Sequence, residues 1–136
     1  MNKDYNACDH FLFGEDYNKE SYMGGIRYFD GIDYDTLSWL VDSGYADPDD
    51  CQNSSPSIGD FLNDTDIYKA NVSFDGYAVS PERNDYRVSI DTINIIVPFD
   101  DAEMLSYFIE LYHSADEFTL YPDAVTKTYN MRAWWD

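Results

Sequence analysis

Residues 86–112 read YRVSIDTINIIVPFDDAEMLSYFIELY, and this stretch decides the fold class. Tyr86, Val88 and Ile90 alternate with Arg87 and Ser89, the period of a strand that buries one face. The β-branched run from Thr92 to Val97 carries the strand on until Pro98 stops it. Asp100 and Asp101 then cap a different pattern. Met104, Leu105, Phe108, Ile109, Leu111 and Tyr112 are spaced for one face of a helix of about three turns.

Toward the N-terminus, Val72, Phe74, Tyr77 and Val79 predict a strand that Asp75-Gly76 interrupts with a bulge or turn. With Ser80–Asp85 as the connection, it forms a hairpin with the strand that follows. A helix is expected from Asp33 to Gly44, with Asp before the apolar set Leu37, Leu40 and Val41 and Gly at the C-terminal cap. After the turn formers of Asp47–Ser54, Ser55 as cap and Pro56 at a first helical position begin a second short helix through Phe61 and Leu62. A short strand, Ile26–Phe29, follows the paired glycines Gly24-Gly25. Toward the C-terminus, Phe118–Tyr121 and Thr126–Arg132 predict two strands around a Pro122-Asp123 turn, with Trp134-Trp135 at the end. The expected architecture is a single α+β domain over residues 1–136, an antiparallel sheet with two or three helices packed on one face.

The 136 residues suffice for one core and not for two independent domains. Hydrophobic residues make up 44% and aromatic residues 18%, with 13 Tyr, 8 Phe and 3 Trp, so the chain is expected to fold despite its polarity. Against 27 Asp plus Glu stand 8 Lys plus Arg, a net charge of −19. Such a surface repels nucleic acid and anionic membranes and attracts cations or basic proteins. Cys8 and Cys51 are too few for a disulfide scaffold, and the first residues lack the basic region and apolar run of a signal peptide. No stretch approaches the roughly 20 apolar residues of a membrane span. The expectation is a cytoplasmic chain with free thiols.

The acids are unevenly placed. Between Arg27 and Lys69 lie Asp30, Asp33, Asp35, Asp42, Asp47, Asp49, Asp50, Asp60, Asp64 and Asp66, with no Lys or Arg among them. Acids this dense repel one another even where salt screens them beyond about 8 Å. Asp outnumbers Glu 21 to 6, and its short side chain holds the carboxylate close to the backbone. Each DNA strand places a phosphate about every 3.4 Å of axis, close to the 3.3 Å advance of a β-strand residue. Carboxylates two residues apart, as in Asp33 with Asp35, Asp47 with Asp49 and Asp64 with Asp66, are therefore expected to approximate a phosphate row. A domain of this length has a radius of gyration of about 14 Å, so one face could imitate about one turn of duplex. Tyr34, Tyr45 and Trp39 lie among these acids and offer flat rings to an arginine-lined groove. The simpler reading of the acids is a solvated face, and of the tyrosines half-buried strand positions.

Other chemistries have less behind them. Cys8-Asp9-His10 with Cys51 and His113 lacks paired zinc-ligand spacing. A calcium loop from Asp49 to Asp60 has Cys51 at its third position, Ser54 where glycine is required, and Pro56 inside. Nonspecific divalent-ion binding over residues 42–66 is compatible with the charge. His10 and His113 are the two histidines, and no nucleophile elbow, phosphate-binding glycine loop or zinc-protease motif is present. No catalytic residue, metal site or cofactor is assigned.

Ser21–Gly25, Gln52–Pro56, Gly76–Ser80 and Asp85–Ile90 resemble segments of small acidic proteins carried on mobile elements of gut bacteria. In size and charge the chain also resembles phage and plasmid inhibitors of host defence, the anti-restriction and anti-CRISPR proteins, several of which mimic DNA. That second resemblance is one of composition and transfers no functional residue. The charge distribution and the second resemblance together imply a non-enzymatic inhibitor whose partner is a basic nucleic-acid-binding protein such as a CRISPR effector or restriction enzyme, with no direct contact to nucleic acid or membrane. The thirteen candidate contact residues are the ten aspartates of 30–66 with Tyr34, Trp39 and Tyr45. An immunity protein neutralising a basic toxin uses the same physics and is the alternative. Adaptation to a salty cytoplasm fits the presence of only four Lys, but nine Asn and nine Ile give it no support.

Overall fold

The computed structural model describes residues 26–79 and 87–136. The readings of Cys8, His10, Ser21–Gly25, Tyr86 and the connection Ser80–Asp85 lie outside the described residues. In chain order the elements are β1 (Ile26–Asp33), α1 (Tyr34–Asp42), α2 (Ile58–Thr65), a 3-10 helix (Asp66–Asn71), β2 (Val72–Val79), β3 (Val88–Pro98), α3 (Ala102–Tyr112), β4 (Glu117–Asp123) and β5 (Thr128–Trp134). The strands form one antiparallel sheet in the order β1-β2-β3-β5-β4. The single α+β domain expected from the pattern is the one observed, with three α-helices among the described residues.

Alternation explains the sheet. Phe74, Ile93, Ile95, Met131 and Ala133 point to one face and are buried, while Asp75, Asn94, Ile96, Asn130 and Arg132 take the other. The helices cover the buried face with Leu37 and Leu40 of α1, Ile58 and Phe61 of α2, and Phe108 and Tyr112 of α3. The Phe61 ring joins the layers, lying 5.8 Å from Phe74, 5.9 Å from Tyr112 and 5.6 Å from Trp135. Burial of one such ring contributes about 1.5–3 kcal/mol. Trp135, to which the sequence assigns no element, closes the core at 4% exposure.

Two bulges meet at one residue. In β1 three steps from Phe29 to Ile32 span two steps of β2, and the spare residue falls at Asp30-Gly31, where Gly31 has φ 69°. In β3 the register passes from Ile90↔Gly76 to Thr92↔Asp75, leaving Asp91 unpaired. Asp75 lies between both and ties them: its Oδ1 accepts from the Gly31 N–H at 2.8 Å and its Oδ2 from Asn94 Nδ2 at 3.1 Å. The extra residue in β3 is why Val88 and Ile90 are buried before it and Ile93, Ile95 and Val97 after it.

Four expectations need correction. β1 does not end at Phe29, because the Gly31 bulge lets pairing resume through Asp33. The cap of α2 is Ser57, whose Oγ accepts from the Asp60 N–H at 3.1 Å; Ser55 Oγ instead accepts from Gln52 N–H at 2.8 Å. Residues 66–71, given no structure by the apolar pattern, form the 3-10 helix. Pro122 and Asp123 do not make the last turn: they pair with Tyr129 and Thr128 inside β4, an edge strand where the missing proline N–H costs no ladder bond. The turn lies at Ala124–Lys127, with Lys127 at φ 56° and Asp123 Oδ1 accepting from Val125 N–H at 2.9 Å.

Candidate functional site

Helix termini and turns place the aspartates. Asp33 caps α1, its carboxylate accepting from Thr36 N–H at 2.8 Å, and these bonds hold its pKa below the ordinary value of 3.8. Asp35 follows in the first turn and Asp42 ends the helix seven residues later, two turns along the same face. Asp66 begins the 3-10 helix and accepts the Tyr34 hydroxyl at 3.1 Å, joining it to the start of α1. Lys69 lies over the Tyr34 ring at 5.8 Å. Asp47 caps its own turn by accepting from Asp49 N–H at 2.9 Å, and Asp49 is exposed. Asp60 and Asp64 stand four residues apart on one face of α2.

The carboxylates therefore do not form the extended row expected from strand spacing. Asp33 is a cap and Asp35 helical, Asp47 and Asp49 belong to a turn, and Asp64 and Asp66 belong to successive helices. On a helix the repeat is four or seven residues, a rise of about 6 or 10 Å. Any likeness to a polyanion lies in charge density rather than in strand-like spacing.

Three candidates are less available than the sequence implies. Tyr45 is a core residue at 8% exposure, its ring stacked on half-buried Trp39 at 5.6 Å, because the chain turns inward after Gly44. Asp50 is half-buried beside β3, accepting the Ser89 hydroxyl at 2.8 Å. Burial raises its pKa against that bond and the nearby Arg87 charge. Asp30 sits apart from the helices, in a depression on the opposite face of the sheet with Asp75, Asp91 and Arg132.

Part of a second acidic run, that on α3, joins the helical layer, and the sequence pattern does not single it out. Between Arg87 and Lys127 there are eight acids and no Lys or Arg: Asp91, Asp100, Asp101, Glu103, Glu110, Asp116, Glu117 and Asp123. α3 carries part of this run against the first. The Tyr68 hydroxyl donates to Asp101 at 3.2 Å and the Tyr107 hydroxyl to the Asp64 carbonyl at 3.3 Å. Residues 33–69 and 100–113 together hold thirteen carboxylates, with Lys69 the one Lys or Arg among them. A duplex as long as twice the radius of gyration, about 28 Å, carries about 16 phosphates. The two counts are of the same order.

Among the described residues no group of three or more His, Cys, Asp or Glu is placed to hold a metal ion. No described helix is long and apolar enough to cross a membrane. Cys51 carries an exposed free thiol. Comparison with protein-family models, curated proteins and solved structures finds no match to the chain.

Crowding of like charge has a consequence for stability. Burial raises the pKa of Asp50, Asp64 and Asp91, and neighbouring carboxylates raise them further. The folded state thus binds protons more tightly than the unfolded state at pH values above 3.8, so these groups add stability as pH falls. Asp33, whose pKa is lowered, loses its contribution only below 3.8. The melting temperature is therefore expected to rise when pH is taken from about 7.5 to about 5, and to rise with salt at pH 7.5. A fall over the same pH interval, measured by circular dichroism, would show that self-repulsion is not what limits the fold.

Proposed function

We propose that the protein is a non-enzymatic inhibitor of a nucleic-acid-binding bacterial defence protein, of anti-restriction or anti-CRISPR type, and acts as a nucleic-acid mimic through its helical layer. One observation carries the reading: the acids of α3, far away in sequence, are folded against the base-free acidic stretch of residues 33–66. Solubility alone does not require this concentration, which costs stability through repulsion. A partner whose channel is lined with Arg and Lys gains from it by releasing bound counterions and by faster, charge-steered encounter.

Tyr34 and Trp39, half-buried among these acids, are the rings that would offer apolar contact to such a partner. Dense negative charge disfavours direct contact with nucleic acid or with an anionic membrane. The test is capture from a bacterial host lysate by the immobilised protein at low salt. A nucleic-acid-binding protein is expected, released both by raised salt and by competing duplex DNA. Capture that ignores ionic strength contradicts the proposal, and capture of a basic toxin instead supports the immunity alternative.

A further inference from the structure

The face of the sheet turned away from the helices has an acid-free centre. Ile96, Asn130 and Tyr121 form one cross-strand row through β3, β5 and β4, and Ser73, Asn94, Arg132 and Thr119 form the next, reaching β2. Ile96 is 47% and Tyr121 56% exposed, and with Arg132 they border an open depression of about 250 Å³. These seven residues carry one positive charge and no negative one, in a chain of −19. The flanking rows carry Asp75 and Glu117 on one side and Asp123 on the other. A neutral centre with exposed apolar side chains and an Arg, inside a charged rim, is the anatomy of a protein interface.

The sheet edges are poor places to add a strand. β1 is bent by the Gly31 bulge, and β4 carries Pro122, which has no N–H, with Glu117 and Asp123 at its ends. The face remains. We propose that its occupant is a second copy of this chain, the two sheets packing face to face. A copy that is itself at −19 is admitted only where acids are absent, and the centre of this face meets that condition. Packed sheets lie about 10 Å apart with the helices outside both, so the two acidic layers are separated by more than the roughly 8 Å over which charge is felt. Arg132 of each copy then meets a rim bearing Asp75, Glu117 and Asp123, a complementarity that is the same in both directions about a two-fold axis. The area is sufficient. Five strands at about 4.8 Å and seven residues at about 3.3 Å give a face of about 24 by 23 Å, so a pair buries about 1,100 Å². That clears the roughly 1,000 Å² of a specific interface and is small for a permanent one.

The inference goes beyond the proposed function and does not rest on it. It leaves the two helical layers on opposite outer surfaces, so one dimer presents two acidic faces pointing apart. Salt separates the two associations. It weakens contact between the acidic layer and a basic partner. It strengthens self-association, because repulsion between two chains of −19 opposes the dimer and apolar burial drives it.

Sedimentation equilibrium of the full chain tests it. In about 0.15 M salt the mass should rise from that of one chain toward that of two, with a Kd in the tens of micromolar. Raising salt from about 0.05 to about 0.5 M should lower that Kd about tenfold. Ile96→Ser/Tyr121→Ser leaves the charge unchanged and should raise the Kd more than tenfold, whereas Ile67→Ser, at a residue 73% exposed on the 3-10 helix, should not change it. In the unsubstituted protein the Ile96 methyl resonances should move with concentration while those of Ile67 stay, a reading that does not depend on any variant folding. A single chain at every concentration up to about 1 mM overturns the dimer, as does a dimer that salt dissociates. So does an Ile96→Ser/Tyr121→Ser variant that dimerises as the wild type does, or movement at Ile67 in place of Ile96. The two readings fail separately: a monomer with salt-sensitive lysate capture ends the dimer and keeps the acidic layer, and a dimer without capture does the reverse.

Discussion

Replacing Asp35 and Asp42 together by Lys is expected to weaken capture of the basic partner more than tenfold, while replacing Asp30 and Glu117 by Lys weakens it less than threefold (about 1.4 and 0.6 kcal/mol). Both pairs change the net charge by four, from −19 to −15. They differ in place. Asp35 and Asp42 are exposed on one face of α1, inside the acidic layer, whereas Asp30 lines the depression on the opposite face of the sheet and Glu117 starts the edge strand β4. Screening over about 8 Å makes the local arrangement, not the total, the quantity a docked partner feels. Asp47, Asp49 and Asp50 look from the sequence like the natural target for reversal. The structure removes Asp50 from that set, because a Lys there would leave the Ser89 hydroxyl without its acceptor and bury a charge beside Arg87. Equal loss from the two pairs, read by salt-titrated binding at constant pH, would mean that net charge alone governs association.

The largest effect on the fold is expected at Gly76. A Cβ there would lie 1.9 Å from the Ser89 carbonyl oxygen and 3.0 Å from Ile90 Cα. Both are backbone atoms of the paired strand and cannot move aside as a side-chain tip could. Gly76 also faces Phe29 across the other edge of β2, so shifting β2 away from β3 strains its pairing with β1. Gly76→Ala should cost more than about 3 kcal/mol, a large share of a domain's usual 5–15 kcal/mol. Gly31→Ala is the comparison. Nothing lies within 4 Å of its added Cβ, so only the left-handed φ of 69° opposes it, at about 1–2 kcal/mol. Urea unfolding of the two variants should give midpoints in that order, and a Gly76→Ala midpoint equal to wild type would remove the close approach of β2 and β3 from the account of the fold.

What the sequence disclosed follows the strength of its periodicities. α3 was legible because six apolar residues and an Asp cap agree, and β2 and β3 because alternation is strict on each side of the bulge. The bulge itself was half-legible: Asp75-Gly76 marks its place, but the inserted residue is Asp91, visible only as a change of phase between Ile90 and Ile93. The 3-10 helix has no apolar stripe, and Ile67 points outward at 73% exposure, so no pattern announced it. Pro122 looked like a turn because local propensity cannot tell an edge strand from a connection.

At the site, the run from Arg27 to Lys69 was conspicuous because no base interrupts it. The acids of α3 were hidden by their apolar neighbours and gained weight only when α3 was seen against Asp64 and Tyr68. The base-free stretch from Arg87 to Lys127 was the available signal. Tyr45 misled for the opposite reason. An aromatic residue among acids reads as exposed, yet the turn after α1 carries it into the core.

The most direct measurement takes the captured partner, purified, and titrates the protein against it in the presence of increasing fixed concentrations of duplex DNA. If the acidic layer occupies the partner's nucleic-acid channel, the apparent Kd should rise in proportion to DNA concentration, with no complex containing all three. A Kd that stays constant as DNA saturates the partner, or a stable ternary complex, would contradict it.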